Sequence, residues 1–473
     1  MKKVSFFGSA VLLIVVLAGC TVHESLMPEA ELDLPEEYLA EAQVKVPTDN
    51  YWREFGDERL NQYIDQALKN NLDLTQGLAR LEQMQALEKQ SRAGFLPFVN
   101  LKGSASREQQ LSSMGESTGN NYRMSLAAGY EVDLWNRIKN TNNAASLNLL
   151  ASEEDLQALT ISITASVADL YYLAMEQQAQ LELNSKTSIS YGNSLEQVTS
   201  RYREGLVPAL DVYQARQNIP VAKSQRPLIE KRLATTSNAL SFLLGQFKLE
   251  EANDALRVFP DLPEEIAAGV PAHLVTRRPD VKAAYLRLKA QDAKVAAAVA
   301  DRFPTINILG SIGTGQVDFA SSVSGIFWNL LMEITGPVFD AGRRKAEVMR
   351  NEAVFKEALA GYHKVVLKAF LEVEDALTNL QASRKRIVYL EERFAANEAT
   401  LQIATENYFA GLVDYLIVLT VQQQNFAVQA LLLTEKRQLV SDYIGLMRAL
   451  GGGVISSDEL ARRRNVKEEG EKK

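Results

Sequence analysis

The sequence predicts an all-α framework of long coiled-coil helices forming a helical barrel, joined to transmembrane β-barrel strands, four per chain, in two structural repeats. Three observations lead there. Two runs of about seventy residues, Asn136 to Leu206 and Arg343 to Leu412, contain no proline. Two stretches alternate apolar with polar residues. The whole pattern then recurs 206 or 207 positions later.

Composition narrows the partners before any element is placed. The chain has 473 residues, 46% hydrophobic and 23% charged, with a net charge of -8. Nucleic acid and anionic surfaces need an excess of Lys and Arg, so neither is expected as the main partner. The three histidines, His23, His273 and His363, stand in unrelated contexts without zinc spacing, so neither a metal site nor a cofactor is expected. No Gly-x-Ser-x-Gly elbow and no His-Glu-x-x-His occurs, and no catalytic residues are assigned. Glu372, Glu374 and Asp375 share one helix and diverge around it, which does not build a substrate site.

The first element, residues 1–19, reads as a lipoprotein signal peptide: Lys2 and Lys3 precede an apolar run from Val11 to Leu17 that is too short to span a bilayer. It ends in Leu17-Ala18-Gly19-Cys20, which looks like a bacterial lipobox, and the chain has just one cysteine. Cys20 is therefore the expected lipid attachment point in the outer membrane. An acidic, proline-punctuated lipid-anchored arm follows, 20–56.

The first repeat, 57–246, opens with helical pattern to Gly94, broken near Asn70 and Asn71. The period then changes from 3.6 to 2, predicting a β-hairpin at about 98–133. Val99, Leu101, Gly103 and Ala105 form one apolar face, and Tyr122, Met124, Leu126, Ala128, Tyr130 and Val132 the other, around a polar loop through Ser117 and Asn121. Strands of roughly ten residues suit a membrane β-barrel, and a half-buried soluble hairpin shows the same alternation. The long helix follows, then a glycine turn at Gly205, then a helix to Gly245 that Pro220 and Pro227 are expected to bend or loosen.

After a connector, 247–272, the second repeat runs from 273 to 451 and ends in a charged tail, 452–473. Asp73, Pro97, Asp133 and Arg137 answer to Asp280, Pro304, Asp340 and Arg344, each 207 positions later. Tyr202, Gly205, Leu206, Val207 and Gly245 answer to Tyr408, Gly411, Leu412, Val413 and Gly451, each 206 later. The second hairpin, about 305–338, carries Ile306, Ile308, Gly310 and Ile312 against Ile326, Trp328, Leu330, Met332 and Ile334. The second long helix shows one stripe, Val366, Ala369, Phe370, Val373, Ala376, Leu377 and Leu380. At 1.5 Å per residue, a helix of this size is roughly 100 Å long and must pack beside others. Four strands cannot close a barrel, so transmembrane strands would be shared between chains, and three chains would supply twelve.

In order along the chain stand Trp52-Arg-Glu-Phe-Gly-Asp57, Tyr130-Glu-Val-Asp-Leu-Trp135, Arg277-Arg-Pro-Asp280, Phe303-Pro304, Gly336-Pro-Val-Phe-Asp-Ala-Gly-Arg-Arg344 and Phe370-Leu-Glu-Val-Glu-Asp-Ala-Leu377. With the lipobox and both Tyr-x-x-Gly turns, this ordered set resembles the TolC-like outer-membrane factors, specifically the outer-membrane lipoproteins of RND efflux systems (the NodT type). The resemblance implies a homotrimeric passive exit duct across the outer membrane and periplasm, driven by an inner-membrane RND-type pump through a periplasmic adaptor. A non-conducting coiled-coil lipoprotein spacer is the alternative, though it leaves the strands unexplained. The adaptor-docking tips implied are Tyr202, Gly205, Leu206 and Val207 with Gly411, Leu412 and Val413. The periplasmic gate implied is Asp211, Tyr408, Asp414 and Leu416. Thr420 and Gln423 stand where the family often carries Asp and Arg, so a charged lower ring is not expected. Drugs, solvents, metals and siderophores all remain open as cargo.

Overall fold

The computed structural model describes residues 23–27, 50–112, 115–248, 259–263, 277–316 and 326–453. Residues 1–19, Cys20, most of the arm, most of the connector and the tail after 453 lie outside the described residues. The chain divides into two compact units, one of 1–32, 80–152 and 283–364, the other of 33–79, 153–282 and 365–473.

A 3-10 turn, Tyr51–Phe55, leads into α1 (Glu58–Asn70) and α2 (Leu72–Arg92). Asp57 caps α1 by accepting from the amides of Arg59 and Leu60. Asn71 causes the predicted break, because its Oδ1 accepts from the amides of Asp73 and Leu74 and so starts a new helix. Strands β1 (Phe98–Ser112) and β2 (Gly115–Val132) follow, then α3 (Arg137–Arg203) and α4 (Ala209–Leu243). The second repeat supplies α5 (Pro279–Ala300), β3 (Thr305–Gln316), β4 (Ile326–Thr335), α6 (Arg343–Phe409) and α7 (Tyr415–Ala449).

One expectation is corrected. The polar loop through Ser117 and Asn121 is strand: β1 and β2 stay paired as far as Ser112↔Gly115, at 15 and 18 residues rather than about ten. A backbone ladder needs extended residues, not apolar ones, so it continues where the alternation fades. One helix, α4, runs through both Pro220 and Pro227.

In the first unit the four strands form one antiparallel sheet in the order β1-β2-β3-β4. In the second, α3, α4, α6 and α7 pack through polar cross-links set among small and aliphatic residues. Asn184 of α3 donates to the carbonyl of Ala222 on α4, while Asp169 and Gln180 of α3 meet Arg437 and the Ala430 carbonyl of α7. Glu435 of α7 pairs with Arg386 of α6 at 3.0 Å. The α6 stripe is as predicted, with Val366, Ala369, Val373, Leu377 and Leu380 buried.

The repeats end alike. Gly205 and Gly411, at φ 75° and 76°, close α3 and α6. The amide of the next residue reaches back to Arg201 in one and Asn407 in the other, a Schellman ending. At the opposite ends, Asn71 donates to the Leu243 carbonyl and Arg278 to the Ala449 carbonyl, equivalent contacts made by different residue types.

Candidate functional site

The sheet sorts its residues by face. One face carries the rows Val99, Ala128, Gly310, Leu330 and Leu101, Leu126, Ile312, Trp328, continued by Tyr130, Ile308 and Met332. The other carries Asn100, Ala127, Ser311, Asn329 and Lys102, Ser125, Gly313, Phe327, with Glu131, Asn307 and Glu333 beyond. The apolar rows lie open: Leu101 is 63% exposed, Ile312 53% and Trp328 75%. A water-soluble protein does not leave so large a contiguous apolar face bare. β1 and β4 each have one neighbour among the described residues, so the sheet has two open edges. Neither edge is tolerable in hydrocarbon.

Where strands become helices, the motif residues pin the joint. Asp133 accepts from the amides of Ile138 and Lys139 and so starts α3. Arg137 forms a bidentate pair with Glu131. The Trp135 ring stacks on Phe303, with centroids 4.8 Å apart, and its indole donates to the Pro304 carbonyl. In the second repeat Arg344 pairs with Asp301 and Asp340 instead.

The predicted gate residues lie at the helix turns of the second unit and separate into two pairs. Asp211, in the first turn of α4, and Tyr408, near the end of α6, are buried together, the hydroxyl donating to Asp211 Oδ2 over a long 3.4 Å. Burial raises the Asp211 carboxyl above its usual value; the Tyr408 hydroxyl opposes this and Asp414 adds to it. Burial and then the Asp211 charge push Tyr408 up to about 12. Asp414 and Leu416 instead face outward. Of the tip residues, Leu206, Leu412 and Tyr202 are exposed at 59%, 73% and 47%, whereas Val207 and Val413 turn inward against a core of Val198, Val212, Tyr415 and Leu419.

Arg201 belongs to this cluster and was not singled out from the sequence. It lies 5.2 Å over the Tyr408 ring and 5.5 Å over that of Phe409, and donates to the Phe409 carbonyl. The available signal was a break in the repeat, since Asn407 occupies the equivalent place. Thr420 bonds to the Leu416 carbonyl of its own helix, and Gln423 donates to Asn218 of α4. Among the motif blocks, Arg278 is 7% exposed and pairs with Asp280 and Glu372. Glu372 is thereby part of a structural clamp. The described residues contain no group of three or more His, Cys, Asp or Glu able to hold a metal.

Comparison with known proteins agrees with this geometry. The family model described as outer membrane efflux protein matches residues 63–246 and 270–452. The outer membrane protein OprJ of Pseudomonas aeruginosa is 31% identical over 476 residues, covering 96% of this chain and 97% of its own. The toluene efflux pump outer membrane protein TtgF of Pseudomonas putida is 33% identical over 414 residues, covering 86% of each. The solved structure of CusC superposes with a TM-score of 0.80 at 30% identity, covering 91% of this chain and all of that one. The open-state channel MtrE of Neisseria gonorrhoeae gives 0.80 at 25% identity, covering 91% of this chain and 98% of its own. An exposed apolar sheet with open edges, long paired helices and two matching repeats place this chain in the outer membrane efflux protein family, whose members are transport channels of the outer membrane that extend into the periplasm.

Proposed function

We propose that three copies of this chain form one passive exit duct, each contributing four strands to a twelve-stranded barrel. The observation that carries this reading is the sheet itself: its apolar face is bare and both edges are unpaired among the described residues, so copies related by rotation pair the edges while the apolar face turns outward to lipid. The polar face then lines water. Transport through the duct takes its energy from an inner-membrane RND-type pump, reached through a periplasmic adaptor that meets Tyr202, Leu206 and Leu412 at the turns. Relatives named for toluene and for cation efflux share this architecture, so the cargo is set by the pump.

Cys20 carries the lipid anchor in this proposal. His23, three residues on in the sequence, pairs with Asp292 of α5 at 3.1 Å. The periplasmic mouth closes through Asp211 and Tyr408 inside each chain, with Asp414 and Leu416 facing the neighbouring copy.

Single-channel recording in a planar bilayer tests both parts. The trimer should conduct, and Asp211→Ala with Tyr408→Phe should raise conductance without lowering trimer yield, because the long Tyr408–Asp211 hydrogen bond is lost from the closed mouth. Thr420→Ala should change little. A trimer that never conducts would favour the coiled-coil spacer.

A further inference from the structure

A cavity of about 470 Å³ lies in the first unit between the segment at residues 23–27, the start of α3 and the middle of α5. One wall is Asn136, just ahead of α3, with Lys139, Asn140, Asn143 and Leu147, a spacing that puts these last four on one face of the helix. A face turned toward a neighbouring helix is ordinarily apolar. Here it carries two amides and an ammonium, and the facing positions on α5, Ala293 and Ala296, are too small to fill the space between.

The polar groups of this wall lack partners. Among the described residues, the side chains of Asn136, Asn140 and Asn143 make no hydrogen bond, and neither Lys139 nor Lys289 has a carboxylate within ion-pair distance. Lys289 instead rests its ammonium 4.5 Å over the Tyr285 ring. Asn136 and Asn140 are half-buried, where amides are normally paired, while Asn143 and Lys139 lie on the exposed rim, so two unpaired amides with two lysines beside them mark a place for an acceptor ligand. The one carboxylate of the lining, Asp292, is already engaged. It accepts from the Ser25 hydroxyl at 2.7 Å and the Leu26 amide at 2.9 Å, and pairs with the His23 ring at 3.1 Å. The formal charge of the lining is therefore positive in a chain whose net charge is -8. The amides at the very start of α3 take no part, because Asp133 already caps them.

Position names the source of the anion. Trp135 belongs to the same lining and sits three residues beyond Val132, where the apolar face ends, the level at which indoles mark the boundary of a bilayer. We infer that this cavity binds the phosphate of an anionic phospholipid headgroup from the periplasmic leaflet, with Lys139 and Lys289 supplying charge and Asn140 and Asn143 donating to the phosphate and glycerol oxygens. The inference rests on the membrane placement of the sheet and is independent of whether the duct conducts.

The test uses the full-length trimer in nanodiscs, with bound lipid read by native mass spectrometry. Phosphatidylglycerol should be retained over phosphatidylcholine, and Lys139→Gln with Lys289→Gln should cut that preference by about tenfold. Asn140→Asp, which keeps both lysines and adds a negative charge, should cut it as well. Lys223→Gln on exposed α4 should leave it unchanged. Equal retention of the two lipids by the wild type, or an unchanged preference in both cavity variants at normal trimer yield, overturns the proposal. Displacement of phosphatidylglycerol by an equal concentration of inorganic phosphate also overturns it, since the cavity would then be a site for free phosphate.

Discussion

Asp211 is held in an environment that favours its neutral form, and this has a definite consequence for pH. Its carboxyl lies above the ordinary value in the folded chain, with burial the first cause. A group raised in this way contributes stability that is complete below its unfolded value, near 4, and is lost as pH rises through the folded value. The turns should therefore pack more tightly in acid than at neutrality. Asp211→Asn removes the ionisation while keeping shape, so its melting temperature should exceed that of the wild type by more at about pH 7 than at about pH 4. An equal gap at both values would show that Asp211 is adequately solvated. Tyr408 adds a second window in base, because a phenol raised to about 12 contributes fully below about 10 and loses that contribution above it.

Glycine gives a second residue-scale contrast. Gly205 and Gly245 both sit at positive φ, 75° and 68°. A Cβ at Gly205 would meet nothing within 4 Å, while at Gly245 it would lie 2.5 Å from the Asn70 carbonyl oxygen. Gly205→Ala should cost only the left-handed backbone, about 1 to 2 kcal/mol. Gly245→Ala should cost distinctly more, because the obstacle is main chain that cannot rotate away. Denaturant midpoints of the two variants compare them directly, and equal losses would mean that Asn70 gives way.

At the scale of the element, the sheet alternates with period 2, so adjacent positions on one strand report different surroundings. Leu126 lies in the apolar row with Leu101, Ile312 and Trp328, and Ser125 in the polar row with Lys102 and Gly313. Leu126→Arg should lower the yield of folded trimer, at a depth-dependent cost of about 2 to 4 kcal/mol near the midplane. Ser125→Arg should be much milder, and Ile308→Arg against Asn307→Arg repeats the comparison on β3. Equal loss from both members of a pair would place the sheet in water. The helices follow the other period: α6 buries a stripe from Val366 to Leu380 and leaves Leu367 and Leu371 exposed at 59% and 50%.

At the scale of the whole molecule, the open four-stranded sheet and the exposed aliphatic residues on the long helices leave strand edges and apolar surface that the proposed trimer and the bilayer would cover. Cys20→Ser should abolish palmitate labelling yet leave part of the trimer assembled in the membrane, because the strands hold the bilayer independently of the anchor. Unchanged labelling in that variant would remove Cys20 as the attachment point.

Much of this was legible in sequence because it depends on local periodicity. Proline-free runs and three-and-four spacing foretold α3 and α6, and alternation foretold both hairpins and which face is apolar, since side-chain direction follows directly from backbone repeat. Internal duplication was equally plain, and the glycine turns fell where the repeat put them. The extension of β1 as far as Ser112 and the start of β2 at Gly115 were not legible, because polar residues pair through their backbones without an apolar signature. Tertiary structure alone decided which polar residues meet. The pairing of Asp211 with Tyr408 joins residues 197 positions apart, and that of Arg278 with Glu372 joins residues 94 apart. It also decided that Val207 and Val413 face inward while Leu206 and Leu412 face out, and that His23, which looked solitary, is bound to Asp292. Local spacing specifies the direction in which a side chain leaves its own element, whereas its partner is specified by where the other elements pack, and that is set by burial summed over the entire fold.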